Sequence, residues 1–323
     1  MQYTHLGRTG LSVSRLCLGT MNFGPVTDEK ESFRIMDEAL DQGINFFDSA
    51  NGYGGHLGVG VTESIVGRWF AQGGGRREKV VMATKVYGKM DEWPNFSRLS
   101  AVNIKRAVEA SLKRLQTDHI DLYQMHHIDR DTPWEEIWQA MEQLVREGKI
   151  VYVGSSNFAG WHIAQANEIA RSRHFLGLVA EQSLYNLTAR TVELEVLPAC
   201  KEYGVGVIPW GPLAGGLLGG FIKKATEGRR AEDQIQRKFE QNRAKIEAFE
   251  NYSAELGEEP ADIGLAWLLA NPVVTGPIIG PRSVDQLKSN IHSLDIKLTD
   301  ENMKKLDEIF PGPGGAAPEA YAW

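Results

Sequence analysis

Eight short apolar runs, each followed by a polar or glycine residue and then a helix-patterned stretch, set the narrowest limit on how this chain folds. They fall at residues 16–19, 44–48, 80–85, 120–124, 150–155, 178–182, 206–210 and 275–280. Their nearly continuous hydrophobicity is what parallel strands covered on both faces require. Amphipathic stretches at 31–41, 102–115, 134–146 and 283–291 lie between them, with helix-start signals at Thr62-Glu63 and Thr132-Pro133. Most intervals run about 28 to 40 residues, room for a strand, a crossover helix and two short loops. Alternating units in this number predict an α/β fold, the closed (β/α)8 TIM barrel. Residues 3–6 and 11–13 flank Arg8-Thr9-Gly10 and predict a hairpin that plugs the barrel's bottom. The last interval, about 70 residues, holds a glycine-rich segment, a charged helix at 237–256 and a second helix at 260–270. The Pro/Gly/Ala-rich tail after Phe310 reads as extended over the surface, and residues 1–323 as one barrel domain.

The chain's 34 glycines are about half again the usual share of roughly 7% and raise the question of a nucleotide-binding loop. An open doubly wound sheet would place G-x-G-x-x-G after its first strand, but here Leu18-Gly19-Thr20-Met21-Asn22 follows. Net charge is −7 and no long basic run occurs, so no nucleic-acid partner is expected. The first twenty residues lack the charged-then-apolar pattern of a signal peptide. Apolar stretches such as 263–269 fall far short of the roughly 18 residues that span a bilayer. Cys17 and Cys200 have neither disulfide nor metal spacing and read as reduced, buried thiols. The expectation is a cytoplasmic protein with no membrane partner and no metal.

In such a barrel the chemistry sits at the C-terminal ends of the strands. Those ends carry Gly19, Asp48, Lys85, His126, Ser155, Ser156, Asn157, Gln182, Trp210 and Gly280. Taken singly, each has a plain structural reading. Asp48 and Lys85 could be an ion pair that braces the barrel, Tyr53 a half-buried loop aromatic, and His126 or His127 a surface histidine. Together, a phenol, an ammonium, a carboxylate and a hydrogen-bonding imidazole can protonate a carbonyl oxygen while another group delivers a hydride. A nearby ammonium stabilises phenolate, so the Tyr53 pKa is expected to fall. A glycosidase with paired carboxylates does not fit, since only one strand end carries a carboxylate.

The segments FFDSANGYG, VVMATKVYG, IDLYQMHHID, YVGSSNF, AEQSLYN and GPIIGPRSVDQLKSN resemble the aldo-keto reductases, in order and over nearly the whole chain. The resemblance implies that Tyr53 is the general acid, Lys85 lowers its pKa, Asp48 pairs with Lys85, and His126 orients the carbonyl. It implies NADPH bound across the barrel mouth without a Rossmann unit. Ser156, Asn157 and Gln182 would then hold the nicotinamide carboxamide, and Trp210 would stack on its ring. Gly211, Pro212, Leu213, Ala214, Gly215 and Gly216 would wrap the pyrophosphate. Gly19, Thr20, Met21 and Gly280 would line the coenzyme groove, with Arg282 on the 2′-phosphate and Gln286 and Asn290 following it. Ser289 stands where the family often has an acidic residue toward the adenine.

The loops resemble the branch containing potassium-channel β subunits, bacterial general aldehyde reductases and actinobacterial keto-sugar and polyketide-pathway reductases. A small-molecule carbonyl substrate is therefore expected: a keto-sugar, a natural-product ketone or a small aldehyde. Tyr87, Trp93 and His127 are expected to line its pocket. The branch includes monomers and octameric rings, which leaves homo-oligomerisation open. The alternative function from the same branch is an NADPH-sensing regulatory subunit with little turnover.

Overall fold

The computed structural model describes residues 1–222, 225–226 and 231–317. Strands β1 (Tyr3–His5) and β2 (Ser12–Ser14) form the antiparallel hairpin, with Thr4 opposite Val13. Eight parallel strands follow: β3 (Cys17–Gly19), β4 (Phe46–Asp48), β5 (Val81–Val86), β6 (Ile120–Met125), β7 (Ile150–Ser156), β8 (Leu178–Gln182), β9 (Gly206–Val207) and β10 (Ile278–Ile279). They pair in chain order, except that β10 returns to pair with β3. The ring closes between its two ends through a Val207–Val274 bridge, and the Ile278 N–H donates to the Pro209 carbonyl at 2.9 Å. This is the (β/α)8 barrel that the rhythm of apolar runs predicts.

The strands flanking the closure are shorter than their apolar runs. Pro209 and Pro277 have no N–H to give a ladder, so β9 ends at Val207 and β10 begins at Ile278. The long excursion between them contains helices Asp233–Glu255 and Pro260–Ala270, the first beginning four residues before its expected start. Among the described residues of the tail, 311–317 are without helix or strand, and the Ala317 N–H donates to the Leu194 carbonyl. The rest of the expected extended tail, 318–323, lies outside the described residues.

Two apolar layers hold the barrel. Inside it, Leu6 and Val13 of the hairpin join Phe46, Ala83, Leu122, Val179 and Ile208 from the strands. Arg8 fixes this plug from below, its guanidinium donating to the Leu178 carbonyl at 2.9 Å and the Tyr203 carbonyl at 2.7 Å. Outside it, helices lay apolar stripes on the strands, as in Trp134–Arg146, where Trp134, Ile137, Trp138, Met141 and Leu144 recur at helical spacing and are buried. Side-chain caps start these helices: Asp28 accepts from Glu31 N–H, and Ser100 from Asn103 N–H. Helix Val61–Phe70 packs so tightly on Ala101–Leu115 that a Cβ at Gly67 would lie 2.0 Å from the Arg114 carbonyl oxygen. The hairpin closes one end, which leaves the strand C-termini around an open mouth at the other.

Candidate active site

Side chains alternate along a strand, so a polar residue at the end of an apolar run can reach the barrel axis. Asp48 ends β4 and Lys85 is the penultimate residue of β5, and they are 3% and 0% exposed. A charge so buried must be paired and hydrogen-bonded. The Lys85 ammonium spends its three protons on Asp48 Oδ2 at 2.6 Å, the Ser49 carbonyl at 2.7 Å and Tyr53 Oη at 3.2 Å. Asp48 Oδ1 accepts from the side-chain amides of Gln124 at 3.0 Å and Gln182 at 2.9 Å. The carboxylate therefore orients the ammonium, and the ammonium orients the phenol.

Sequence reasoning missed Gln124. Its signal is a polar side chain late in the apolar run of β6, two residues before His126.

Electrostatics at the centre depart from expectation at Tyr53. Burial pushes the phenol up, Lys85 pulls it down, and Asp48 pushes it up again, which leaves it above its ordinary value. The expected fall fails because desolvation of the phenolate outweighs one ammonium that is itself shared with a carboxylate. Burial would pull Lys85 down, but Asp48 and Tyr53 outweigh it and hold the ammonium above the usual lysine range. His126 packs edge-on against Tyr53, ring centroids 5.9 Å apart, and stacks on His127 at 5.1 Å. Burial, then Lys85 and His127, drive its imidazole down to about 3. His126 is therefore neutral across any ordinary assay range, one ring nitrogen donating and the other accepting. An imidazole NMR titration is expected to show no His126 inflection between about pH 5 and 8, and an inflection there would refute this.

The groups expected around the coenzyme fall into three places. At the ends of β7 and β8, Ser156 Oγ donates to the Gln182 carbonyl at 2.8 Å. Asn157, at φ +60°, donates to Ser156 Oγ and the His126 carbonyl and accepts from Trp210 Nε1 at 3.0 Å. Trp210 is thus held by its edge while its ring stays 38% exposed. Next, Gly211, Pro212, Leu213, Ala214, Gly215 and Gly216 form a tight turn with positive φ at Gly211, Ala214, Gly215 and Gly216. Last, helix Val284–His292 carries Gln286 and Asn290 one turn apart, and Ser283 caps it. The Gln286 side chain accepts from Arg282 N–H at 2.9 Å, and among the described residues the Arg282 guanidinium has no hydrogen-bond or ion-pair partner.

Gly19 has a packing reason, since a Cβ there would lie 2.5 Å from Ile278 Cγ2. Thr20 turns its hydroxyl onto the Asp48 carbonyl at 2.9 Å, and Met21 is exposed. Asn22 donates to the Gly280 carbonyl, which ties the first strand end to the last. Tyr87 packs on His127, ring centroids 5.3 Å apart. Trp93 is 74% exposed, and no described ring contact joins it to them.

This donor set suits an extended dinucleotide. It offers an exposed indole face beside side-chain amides, a turn of positive-φ backbone, and a guanidinium with no partner among the described residues at a helix N-terminus, where anions are favoured. Among the described residues no helix is long and apolar enough to cross a membrane.

The model of the aldo/keto reductase family matches residues 15–310. An "uncharacterized oxidoreductase YrpG" of Bacillus subtilis (strain 168) is 60% identical over the full length of both chains. Norsolorinic acid reductase A of Aspergillus parasiticus is 33% identical over 94% of this chain and 79% of its own. A probable voltage-gated potassium channel subunit beta of Oryza sativa subsp. japonica is 34% identical over 96% of both.

Proposed function

The chain belongs to the aldo/keto reductase family, and from that premise we propose that it reduces an aldehyde or ketone to an alcohol with NADPH, Tyr53 giving the proton. The observation that carries this reading is the buried relay in which Lys85 bonds both Asp48 and the Tyr53 hydroxyl. When bound, the coenzyme supplies the hydride. Tyr53, protonated at neutral pH, donates its hydroxyl proton to the carbonyl oxygen, and the Lys85 ammonium stabilises the phenolate left behind. Neutral His126 donates an N–H to the same oxygen and fixes which face of the carbonyl is presented. Asn157 holds Trp210 at its edge so that the indole face can support the nicotinamide, and Arg282 pairs with the 2′-phosphate. Tyr87 and His127 wall the pocket on the Tyr53 side, with Trp93 on the loop above it.

The substrate is proposed as a keto-sugar, a natural-product ketone or a small aldehyde. The reductase and oxidoreductase names of the relatives support turnover, and the channel-subunit relative supports a second reading, a coenzyme-sensing partner protein. The test follows loss of nicotinamide absorbance with nitrobenzaldehyde and with keto-sugars, NADPH and NADH side by side. Turnover with NADPH supports the reductase, and tight coenzyme binding without turnover would give the regulatory reading. In the same assay Arg282→Ala is expected to weaken NADPH about 10- to 100-fold and to leave NADH unchanged, as loss of a charge-assisted phosphate contact requires.

A further inference from the structure

Glu181 is an ionisable group that the relay does not use, and it lies one residue from a part of the mouth that coenzyme binding needs. Across β7 and β8, Ser155 pairs with Glu181 and Ser156 with Gln182. Alternation sends Gln182 inward to Asp48 and Glu181 to the opposite face of the sheet. There Glu181 is fully buried, and its carboxylate gathers three donors. Ser155 Oγ donates to one oxygen at 2.5 Å, while Ser183 Oγ at 2.7 Å and Phe158 N–H at 3.1 Å share the other. Residues 155, 158 and 183 directly flank Ser156, Asn157 and Gln182. Asn157 is a non-glycine residue in the left-handed region, a conformation that persists only where the surroundings hold it. Its amide in turn fixes the edge of Trp210.

We propose that Glu181 is a positioning residue that holds Ser156, Asn157 and Gln182 in their coenzyme-binding arrangement, and that NADPH binds preferentially when its carboxyl is ionised. The inference rests on the coenzyme reading above. An ionised Glu181 can accept from all three donors at once. A protonated one becomes a donor itself, and its proton competes with the Ser155 hydroxyl, which alone bonds the second oxygen, so that bond must weaken or reverse. Ser155 then turns to the Ala180 carbonyl at 3.4 Å, a longer and weaker bond to β8 than the 2.5 Å bond it gives up.

Burial raises the Glu181 carboxyl to about 7, the hydrogen bonds from Ser155, Ser183 and the 157–158 backbone opposing it only in part. Among the described residues no cation pairs with it. The buried titratable groups on the adjoining helices are His162 on Gly160–Ser172 and Cys200 on Val196–Tyr203. Burial lowers His162 and raises the Cys200 thiol, with Glu181 adding to the second, so both are neutral near pH 7. The charged groups on those helices, Glu168, Arg171, Lys201 and Glu202, are exposed. Among the described groups just named, Glu181 is thus the buried one that changes charge in the physiological range.

The sign follows from linkage. If coenzyme favours the ionised form, affinity is full above pH 7 and falls as pH drops through it. NADPH titrations of the full chain, read by tryptophan fluorescence, are expected to show Kd rising about tenfold from pH 8 to pH 6. Glu181→Gln keeps the shape without the titration. Its Kd should be about tenfold higher at pH 8, and its ratio to wild type should shrink toward one at pH 6. Taking that ratio at each pH cancels protonation of the coenzyme's own phosphate. Ser183→Ala removes one donor to the ionised form and should move the wild-type inflection upward. Equal Kd for Glu181→Gln and wild type at pH 8, or a ratio that does not change with pH, overturns the inference. An unmoved inflection in Ser183→Ala does the same. A wild-type chain that binds no NADPH overturns the coenzyme reading first and this inference with it.

Discussion

Replacing Tyr53 by phenylalanine is expected to lower kcat for carbonyl reduction roughly 10³-fold, within the range removal of a general acid produces. Coenzyme affinity should stay within about twofold, because the ring remains to pack against His126 and no coenzyme-facing group is lost. The site around it should also hold. Lys85 keeps Asp48 and the Ser49 carbonyl, and only its longest contact, 3.2 Å to the phenol, disappears. His126 cannot take over as acid, since an imidazole whose charged form appears only below about 3 carries no ionisable proton at neutral pH. The raised Tyr53 value sharpens the expectation. A phenol above its ordinary range is fully protonated at neutral pH, so the proton is always present, and the barrier depends on how well Lys85 receives the phenolate. Wild-type kcat should therefore fall only on the alkaline side. Single-turnover traces with NADPH separate the chemical step from binding, and turnover in Tyr53→Phe near the wild-type rate would remove Tyr53 from the mechanism.

The barrel was legible in the rhythm of eight apolar runs, and the centre of its mouth in two charges among them, since burying a charge is costly enough that few sequences do it idly. Asp48 closing INFFD and Lys85 closing VVMATK could satisfy each other only if both runs were neighbouring strands, and β4 and β5 do pair. Residues that act through hydrogen bonds alone leave a weaker trace. Gln124 and Glu181 are polar letters with a second polar neighbour in the same short run, Asp121 and Gln182, and a sequence does not say which face each occupies until register is known. Glycine was ambiguous in the same way. Gly19, expected along the coenzyme groove, also has a packing reason, since a Cβ there would press on Ile278. The Tyr53 shift was misjudged because spacing reports the nearby ammonium and not the depth of burial that opposes it. The curtailed β9 and β10 follow from the backbone chemistry of Pro209 and Pro277, which hydrophobicity does not register.

Lys85→Met should cost both stability and activity, and the two losses come apart in a second variant. Methionine roughly matches the lysine stem in volume, so packing survives, but Asp48 is left 3% exposed with its countercharge gone. Breaking one side of a buried pair costs about 3–5 kcal/mol, and the thermal midpoint should drop by several degrees. The Gln124 and Gln182 amides still donate to Asp48 Oδ1, which places the loss toward the lower end of that range. Adding Asp48→Asn removes the orphaned charge. The new amide can turn its carbonyl oxygen toward the same two glutamines, so the double variant should recover most of the lost midpoint. Activity should not follow. Without the ammonium nothing stabilises the Tyr53 phenolate, and burial pushes that phenol up unopposed, so both variants should turn over at least 10²-fold more slowly than wild type. The pair thus distinguishes the two readings that the sequence left open. If Lys85 and Asp48 only braced the barrel, the double variant would regain activity along with its midpoint. If they tune the acid, stability returns and catalysis does not.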